Sequence, residues 1–291
     1  MEGPLVSIII VSWNSASVLE ACLRSINAAL EHCHGEIIVV DNASRDGSLQ
    51  VANRMRSEVT DLRVVAAGGN LGFARANNLA LEQARGDYLL LLNPDTALGP
   101  RAIAELVACA QERTAAIVGA RHYHMDGRPQ PSVRGLPTVP ALLLLLTKAH
   151  HVLPRLPVFT RYFAADFDYA ITQPAPQVAG SCFLISRAAF QRLGPMDGRF
   201  HVWFEEVDWC RRAHDLGLSV WYCAQARINH HGGQSFGQIR SVRRQWIFNA
   251  SLTRYLKKHH GMFAAACAIA LFPLSLALAA ISGVLRPFPR H

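Results

Sequence analysis

The chain has 291 residues, of which 51% are hydrophobic and 17% charged, with a formal net charge of +8 at pH 7. This composition supplies ample apolar material for a core and excludes an intrinsically disordered chain. The seven cysteines are scattered and form no Cys-x-x-Cys pair, which predicts a reducing compartment and mostly buried thiols.

Short apolar runs alternate with segments of helical periodicity through the first 120 residues. Residues 5–11 predict a first strand rather than a signal peptide. Later strands are predicted at 36–41, 63–67, 88–92 and 115–120, with helices between them. Strands that alternate with helices through short loops favour βαβ units, a mostly parallel central sheet and right-handed crossovers.

The most informative stretch is residues 88–96, where five apolar positions run directly into Asn93-Pro94-Asp95. Pro94 cannot donate to a sheet ladder and keeps Asn93 out of the helical region, so the strand ends there. Asp95 is then a carboxylate at the carboxyl end of a central strand, where open α/β sheets bind ligands. It could hold Mg²⁺ or Mn²⁺ against a diphosphate, although the tripeptide is equally an ordinary turn.

Residues 121–178 break the alternation, because eight prolines surround one apolar run at 141–146. We interpret this stretch as an irregular, partly mobile lid or acceptor insertion rather than a second domain. The regular pattern resumes with a strand at 178–185, helices from 187 and over 204–216, and a strand at 219–224.

The C-terminal part is basic and then apolar. No acidic residue follows Asp215, whereas nine Lys or Arg residues do. Residues 240–259 predict a basic amphipathic helix, and 262–285 carry no charge over a length that could cross a bilayer. This second segment could span the membrane, lie on its surface or be a buried helix of the globular domain. The hydrophobic setting of the charges favours a membrane over nucleic acid.

Three further stretches carry polar residues suited to a site. Asp41 ends the second strand on the same sheet edge as Asp95 and is either a nucleoside ligand or a turn residue. The glycine-rich loop 68–72 precedes a helix and could bring its backbone close to an anion, though it matches no known phosphate-loop pattern.

Late in the chain, Glu205, Glu206 and Asp208 lie among aromatic residues. Three carboxylates at the start of a helix could serve only to interact favourably with the helix macrodipole. Apolar surroundings, however, also raise a carboxyl pKa and suit the group to proton abstraction. His230 and His231 point to different sides of an extended chain, so at most one of them is a metal ligand.

Taken in order, these stretches resemble glycosyltransferase family 2, which has the GT-A fold, and within it the rhamnosyltransferase-like branch of bacterial polysaccharide assembly. The matching segments cover most of residues 5–236 and are 6–14, 38–44, 70–77, 91–95, 180–185, 204–208 and 230–235. The resemblance implies a GT-A domain over 1–236, including the insertion 121–178. Residues 237–291 would form a helical, membrane-associated extension.

The resemblance also implies roles for individual residues. Glu206 matches the catalytic base, with Glu205 or Asp208 as alternatives. Asp95 matches the last residue of the family's Asp-x-Asp motif, and His230 matches its distal metal-binding histidine, so Mg²⁺ or Mn²⁺ is expected. The donor site would include Ser12, Trp13, Asn14, Asp41, Asn70, Gly72, Phe73 and Asn93.

The implied activity is an inverting transfer from a nucleotide-sugar, either dTDP-rhamnose or a UDP-sugar. The acceptor would be a saccharide or a polyprenyl-diphosphate-linked saccharide at the cytoplasmic face of the cell membrane. Two other functions stay open: a non-catalytic nucleotide-sugar-binding membrane protein, and a nucleotidyltransferase. The latter is disfavoured because no basic glycine-rich loop follows the first strand.

Overall fold

The computed structural model describes residues 3–232 and 241–285. Its strands are β1 (Leu5–Ser12), β2 (His34–Asp41), β3 (Leu62–Ala66), β4 (Tyr88–Leu92), β5 (Thr96–Leu98), β6 (Ile117–Tyr123), β7 (Pro129–Gln130), β8 (Val133–Arg134), β9 (Gln173–Pro174), β10 (Gln177–Val178), β11 (Cys182–Ser186) and β12 (Val220–His230). Its helices are α1 (Ala16–Ala29), α2 (Ser48–Met55), α3 (Phe73–Leu81), α4 (Ala102–Glu112), α5 (Val139–Leu146), α6 (Ala149–Val152), α7 (Pro157–Tyr162), α8 (Arg187–Leu193), α9 (Glu205–Asp215), α10 (Ser241–Ala270) and α11 (Phe272–Leu285). A short 3₁₀ turn, Leu30–His32, follows α1.

One mixed sheet organises the molecule, with the order β3-β2-β1-β4-β11-β6-β12-β5. Strands β3, β2, β1 and β4 run parallel, as do β6 and β12. Strand β11 lies antiparallel between β4 and β6, and β5 lies antiparallel at the β12 edge. Helices cover both faces, as continuous apolar strands require. The GT-A fold predicted from the motifs is confirmed.

Three clusters of buried side chains form the core. Two of them fill the opposite faces of the sheet. The third lies outside the sheet and joins α5, the aromatic residues that precede α9, and α10. In this third cluster Phe204 and Tyr255 pack with ring centroids 5.4 Å apart. The C-terminal helix therefore packs directly against the element that carries Glu206.

Some predicted boundaries differ from the structure. The apolar run 178–185 forms two strands, β10 and β11, because Gly180 and Ser181 interrupt it. Strand β12 extends to His230, beyond the predicted end at residue 224. The insertion is not irregular throughout, since it contains α5, α6 and α7. Residues 233–235 of the last motif, 236–240 before α10, and the end of the C-terminal extension at 286–291 lie outside the described residues.

The C-terminal charge-free segment is broken rather than continuous. Gly261 interrupts α10 with φ 90° and ψ 175°, and α11 begins at Phe272. Within the described residues no single helix is both long and apolar enough to cross a bilayer. Helix α10 and residues 272–282 of α11 reach that length and composition only as a pair bent by 49°.

Candidate active site

The carboxyl ends of β1, β2 and β4 meet at one edge of the sheet. Ser12 lies opposite Asp41, and Ile10 lies opposite Leu92 immediately before Asn93. Asp41 is 4% exposed, and its Oδ2 accepts a hydrogen bond from the Ser44 N–H at 3.3 Å. Its Oδ1 is buried without a hydrogen-bond partner among the described residues. This orphaned acceptor suits a ligand donor, since buried polar atoms are otherwise nearly always paired.

The turn after β1 is tied to the turn after β2. Asn14 has φ 48°, its N–H donates to Ser44 Oγ at 3.0 Å, and its Oδ1 accepts from the Arg45 N–H at 2.8 Å. The Ser12 hydroxyl is buried and bonded to Ser15 Oγ at 2.7 Å. Ser12 and Asn14 therefore shape this edge, while the half-buried Trp13 lies between them.

The glycine-rich loop is organised by Asn70, whose Oδ1 accepts from Asn42 Nδ2 at 3.3 Å and from the Gly72 N–H at 3.1 Å. Gly72 has φ +80°, and a Cβ there would lie 2.5 Å from the backbone oxygen of His201. The next residue, Phe73, donates its N–H to that same oxygen at 2.6 Å. The close backbone approach predicted for a ligand is thus made, at Gly72, by another segment of the protein.

We expect Gly72→Ala to destabilise the protein by more than about 2 kcal/mol, because the methyl group meets backbone atoms and the backbone is left-handed. Gly68→Ala is the matched control, since Gly68 has φ +73° but nothing within 4 Å of the added Cβ. It should cost only about 1 kcal/mol. Chemical denaturation of both variants measures the difference, and equal losses would contradict the contact-based explanation.

Strand pairing brings Asp95 and His230 together. Thr96 of β5 lies opposite His230 of β12, and the His231 N–H donates to the Asp95 carbonyl at 3.0 Å. The Asp95 side chain is 9% exposed, and its Oδ1 lies 3.4 Å from His230 Nε2. His230 Nε2 is buried and makes no hydrogen bond to any described residue. Two ligand-type atoms therefore face each other across a short gap.

The orientation of His230 fits a metal ligand. Its Nδ1 lies 3.1 Å from Gln130 Oε1, so an Nδ1–H that donates to this amide oxygen leaves the Nε2 lone pair directed at Asp95. The neighbouring ring of His122 lies edge-on at 5.9 Å, and burial lowers the pKa of His122 to about 3, which keeps it neutral. Within the described residues no group of three or more potential ligands is gathered, so a divalent cation would need substrate oxygens to complete its shell.

Glu206 is connected to the turn that carries Asp95 by a short segment, Gly180 and Ser181. A Cβ on Gly180 would lie 3.3–3.5 Å from the side-chain carbons of Glu206. The adjacent Ser181 accepts the Asn93 N–H on its carbonyl at 3.0 Å, and its hydroxyl lies 2.7 Å from His122 Nε2. Gly180 and Ser181 therefore join Glu206 to the turn that carries Asp95.

The turn that precedes Glu206 at the start of α9 has an unusual backbone conformation. Trp203 and Phe204 have φ 66° and 72°, two successive left-handed conformations without glycine. Such strain is characteristic of functional sites. Burial raises the pKa of Glu206, while backbone hydrogen bonds and Arg134 oppose that rise. The carboxyl group is half-buried in the wall of a cavity of about 480 Å³.

The two alternative bases occupy different environments. Glu205 is 3% exposed, and burial, reinforced by Glu206, raises its pKa well above the usual value. Asp208 is fully buried and accepts from Arg212, Lys258 and His259 at 2.7–2.9 Å. Burial alone would raise the pKa of Asp208, but its hydrogen bonds to His259 and Lys258 outweigh it and lower the pKa. Asp208 therefore links α9 to α10 and is unsuited to act as a base.

We expect Asp208→Asn to destabilise the protein by about 3 kcal/mol, because it leaves the partly buried Lys258 ammonium and Arg212 guanidinium without their buried carboxylate. Because the pKa of Asp208 is lowered in the folded protein, this stabilisation is fully present at neutral pH. It is lost as the pH falls below the ordinary value of 3.8 and through the lowered pKa. Asp215→Asn is the control on the same helix, since that carboxylate is 51% exposed and should contribute under about 0.5 kcal/mol. Denaturant unfolding at pH 7 compares the two variants, and a pH series continued below 3.8 follows the loss in the unmodified protein; equal losses at pH 7 would contradict the role of Asp208.

The comparisons with known proteins decide the family. The family model described as glycosyl transferase family 2 matches residues 7–194, more than half of the chain. The chain belongs to glycosyl transferase family 2. It is thus a glycosyltransferase with the GT-A fold, as its motifs indicated, and the curated relatives support the rhamnosyltransferase-like branch.

Two curated relatives and one solved structure illustrate the range of this family. An uncharacterized protein, y4gI, of Sinorhizobium fredii is 30% identical over 264 residues, and the match covers 89% of this chain but only 28% of that protein. The N-acetylglucosaminyl-diphospho-decaprenol L-rhamnosyltransferase of Mycobacterium tuberculosis is 29% identical over 247 residues, covering 79% of this chain and 77% of the relative. The mannosyltransferase PcManGT of Pyrobaculum calidifontis, in complex with GDP-Man and Mn²⁺, shares the fold at a TM-score of 0.59 and 16% identity. That match covers 98% of this chain and 78% of PcManGT.

Several residues in and around the candidate site were not singled out from the sequence. Gln130 lies in the proline-rich insertion, one hundred positions before His230, and only strand pairing places it there. Ser181 belongs to a motif that was recognised, but its bonds to Asn93 and His122 depend on the antiparallel strand β11. The contact of Lys258 with Asp208 could not be predicted, because in the sequence Lys258 is only one of several basic residues on the C-terminal helix.

Proposed function

We propose that this glycosyltransferase moves a sugar from a nucleotide-diphosphate donor to an acceptor hydroxyl in a single inverting displacement. The observation that supports this most is the shared position of three groups. Asp95 and His230 face each other, the Asn93 N–H two residues before Asp95 bonds to Ser181, and Glu206 contacts the adjacent Gly180. A diphosphate site and a proton acceptor therefore adjoin one another, as sugar transfer requires.

The donor is proposed to bind along the carboxyl edge of the sheet. The unpaired Oδ1 of Asp41 would accept from the nucleoside, and Ser12, Trp13 and Asn14 would support the base and ribose through their turn. Asn70, Gly72 and Phe73 would shape the neighbouring loop through the contacts described above. Asn93 is half-buried beside Asp95, where its amide could bond the sugar or a phosphate oxygen.

The residues present fit a divalent cation, Mg²⁺ or Mn²⁺. Asp95 and His230 would hold it, with Gln130 fixing the histidine tautomer. When bound, such an ion supplies Lewis-acid stabilisation of the negative charge on the diphosphate. The Mn²⁺ in the complex of the mannosyltransferase PcManGT supports this assignment.

Glu206 is proposed as the general base. Its carboxylate takes the proton from the acceptor hydroxyl, and that oxygen attacks the anomeric carbon from the face opposite the nucleotide. The bond from the anomeric carbon to the diphosphate oxygen breaks with its electron pair on the diphosphate. A raised pKa improves Glu206 as a proton acceptor near neutral pH.

The transferred sugar is proposed to be rhamnose from dTDP-rhamnose, with UDP-sugars as the next choice. The acceptor is proposed to be a saccharide carried on a polyprenyl diphosphate. The name of the Mycobacterium tuberculosis relative supports both choices. The product would then serve in the synthesis of a cell-surface polysaccharide.

Residues 237–291 are proposed to attach the catalytic part, 1–236, to the cytoplasmic face of the cell membrane. Large apolar side chains are exposed on both C-terminal helices, among them Met262, Phe263 and Ile281, which are 66%, 84% and 58% exposed. Basic residues such as Arg243 and Lys257 accompany them on α10. This combination suits an anionic membrane surface.

A panel of nucleotide-sugars with Mg²⁺ or Mn²⁺ tests the proposed function. We expect one donor to raise the melting temperature only when metal is present and to release its nucleoside diphosphate slowly with water as acceptor. Donor binding without any release or transfer would instead support the non-catalytic alternative. Transfer of a nucleotide rather than a sugar would favour a nucleotidyltransferase.

A further inference from the structure

A cavity of about 480 Å³ has Glu206 in its wall, which five separate segments of the chain form. They are the two strands of the β8–β10 pair, the segment from α5 to α7, the first turn of α9 and the start of α10. Its volume is within the range of small-molecule sites. We refer to it as the acceptor cavity, because the proposed base lies in its wall.

The acceptor cavity carries an excess of positive charge. Arg134, Lys148 and Arg244 line it, whereas Glu206 is the one carboxylate among the lining residues. Within residues 3–232 and 241–285, none of these three cations forms an ion pair with a carboxylate. Among the described lining residues the three cations therefore outnumber the single carboxylate, which leaves the cavity with a net positive charge.

Lys148 is held in the cavity at an energetic cost. It is a non-glycine residue with φ 58°, and its side chain is half-buried. Its ammonium donates to the neutral Gln245 Oε1 at 2.5 Å, which occupies one of its three N–H groups. Burial lowers the pKa of Lys148, and the nearby Arg244 lowers it further. An anion in the cavity would offset the cost of burying the Lys148 charge and would reduce its repulsion by Arg244.

Arg134 is placed to reach the same anion. Its guanidinium carbon lies 5.0 Å from the Phe163 ring centroid and 5.9 Å from that of Tyr162. A guanidinium placed over aromatic rings keeps its N–H groups available for a bidentate anion. Burial, then His151, Lys148 and Arg134, lowers the pKa of His150 to about 4, so both cations act on this one ring of the cavity wall.

We infer that the acceptor cavity binds a phosphate group carried by the acceptor, through Arg134, Lys148 and Arg244, next to Glu206. The accepting hydroxyl and the phosphate then belong to one molecule, a sugar joined to phosphate or diphosphate. The inference rests on the proposed function and adds to it the residues that recognise the acceptor class. Charge-assisted bonds from arginine and lysine are the usual means of holding such a group.

Direct binding of two small probes tests the inference without any transfer reaction. N-acetylglucosamine 1-phosphate is compared with the neutral methyl glycoside of N-acetylglucosamine, by calorimetry, in buffer with EDTA. The chelator prevents metal-dependent phosphate binding at Asp95 and His230. We expect the phosphate to bind at least about tenfold more tightly, because several charge-assisted hydrogen bonds contribute.

Variants locate the site. Lys148→Met and Arg134→Gln remove charge with little change of volume, and each should abolish most of the preference for the phosphate. Arg56→Gln is the control, because Arg56 is an exposed cation at the end of α2 and is not among the residues that line the cavity. It should keep the full preference. Circular dichroism confirms that each variant is folded.

Equal affinity for the two probes, or a preference that survives in both Lys148→Met and Arg134→Gln, would overturn the inference. Binding confined to vesicles of phosphatidylglycerol, with no binding of the sugar phosphate, would also overturn it, since the cations would then serve lipid headgroups. Donor hydrolysis is measured separately. If hydrolysis is present and the phosphate preference is absent, this inference fails while the proposed function stands. If the protein prefers the phosphate probe but does not hydrolyse any donor, the phosphate site stands while the proposed transfer activity fails.

Discussion

Glu206→Gln is expected to lower turnover by about 10²–10⁴-fold, the usual contribution of a general base, while donor binding stays unchanged. The substituted amide keeps the shape of the side chain beside Gly180 but cannot accept the proton. Transfer by the unmodified protein should also rise with pH through a pKa above the ordinary 4.5 of a glutamate, because only the ionised base is active. Initial rates over a pH series measure both effects.

Glu205→Gln provides the matched control. Glu205 is buried, and burial raises its pKa well above the usual value, which favours the neutral carboxylic acid that an amide resembles. Turnover should fall less than about threefold, since a base is not removed. If Glu205→Gln lost activity while Glu206→Gln kept it, the role of base would belong to Glu205.

His230→Ala is expected to lower metal-stimulated turnover by at least about 100-fold, since a Lewis acid contributes several kcal/mol to the transition state. Removal of the imidazole takes away the atom that lies 3.4 Å from Asp95 Oδ1. Donor binding should then require a higher concentration of Mn²⁺. Titration of Mn²⁺ against nucleoside diphosphate release and against the melting temperature checks both consequences.

His231→Ala is the control for that prediction, because the adjacent residue is exposed and its backbone N–H, which the substitution keeps, donates to the Asp95 carbonyl. It should keep the metal response of the unmodified protein. An equal loss in both variants would show that His230 has no special part in holding the ion.

Much of the fold could be predicted from the sequence because buried parallel strands are short, continuous apolar runs. The segment Tyr88–Leu92 is such a run, and the proline that follows fixes its end. The direction of β11 could not be read in this way, since an apolar run has the same composition in either direction. Strand β5 has three residues, too few for any periodicity.

The candidate site was predictable only as separate parts. Asp41 and Asp95 were placed at one sheet edge because Asp41 ends one predicted strand and Asp95 follows the end of another after Asn93 and Pro94. The gap between Asp95 and His230 depends on pairing of β5 with β12, which involves residues far apart in the chain. The partners of Asp208 were equally hidden, because basic residues on an amphipathic helix do not indicate which buried carboxylate they meet.

A crystal structure with Mn²⁺ and the nucleoside diphosphate found in the donor panel tests the central claim most directly. Anomalous scattering should place the ion between Asp95 Oδ1 and His230 Nε2, with the diphosphate beside it and the Glu206 carboxylate facing the same space. An ion bound elsewhere, or a diphosphate separated from Glu206 by intervening protein, would contradict the account.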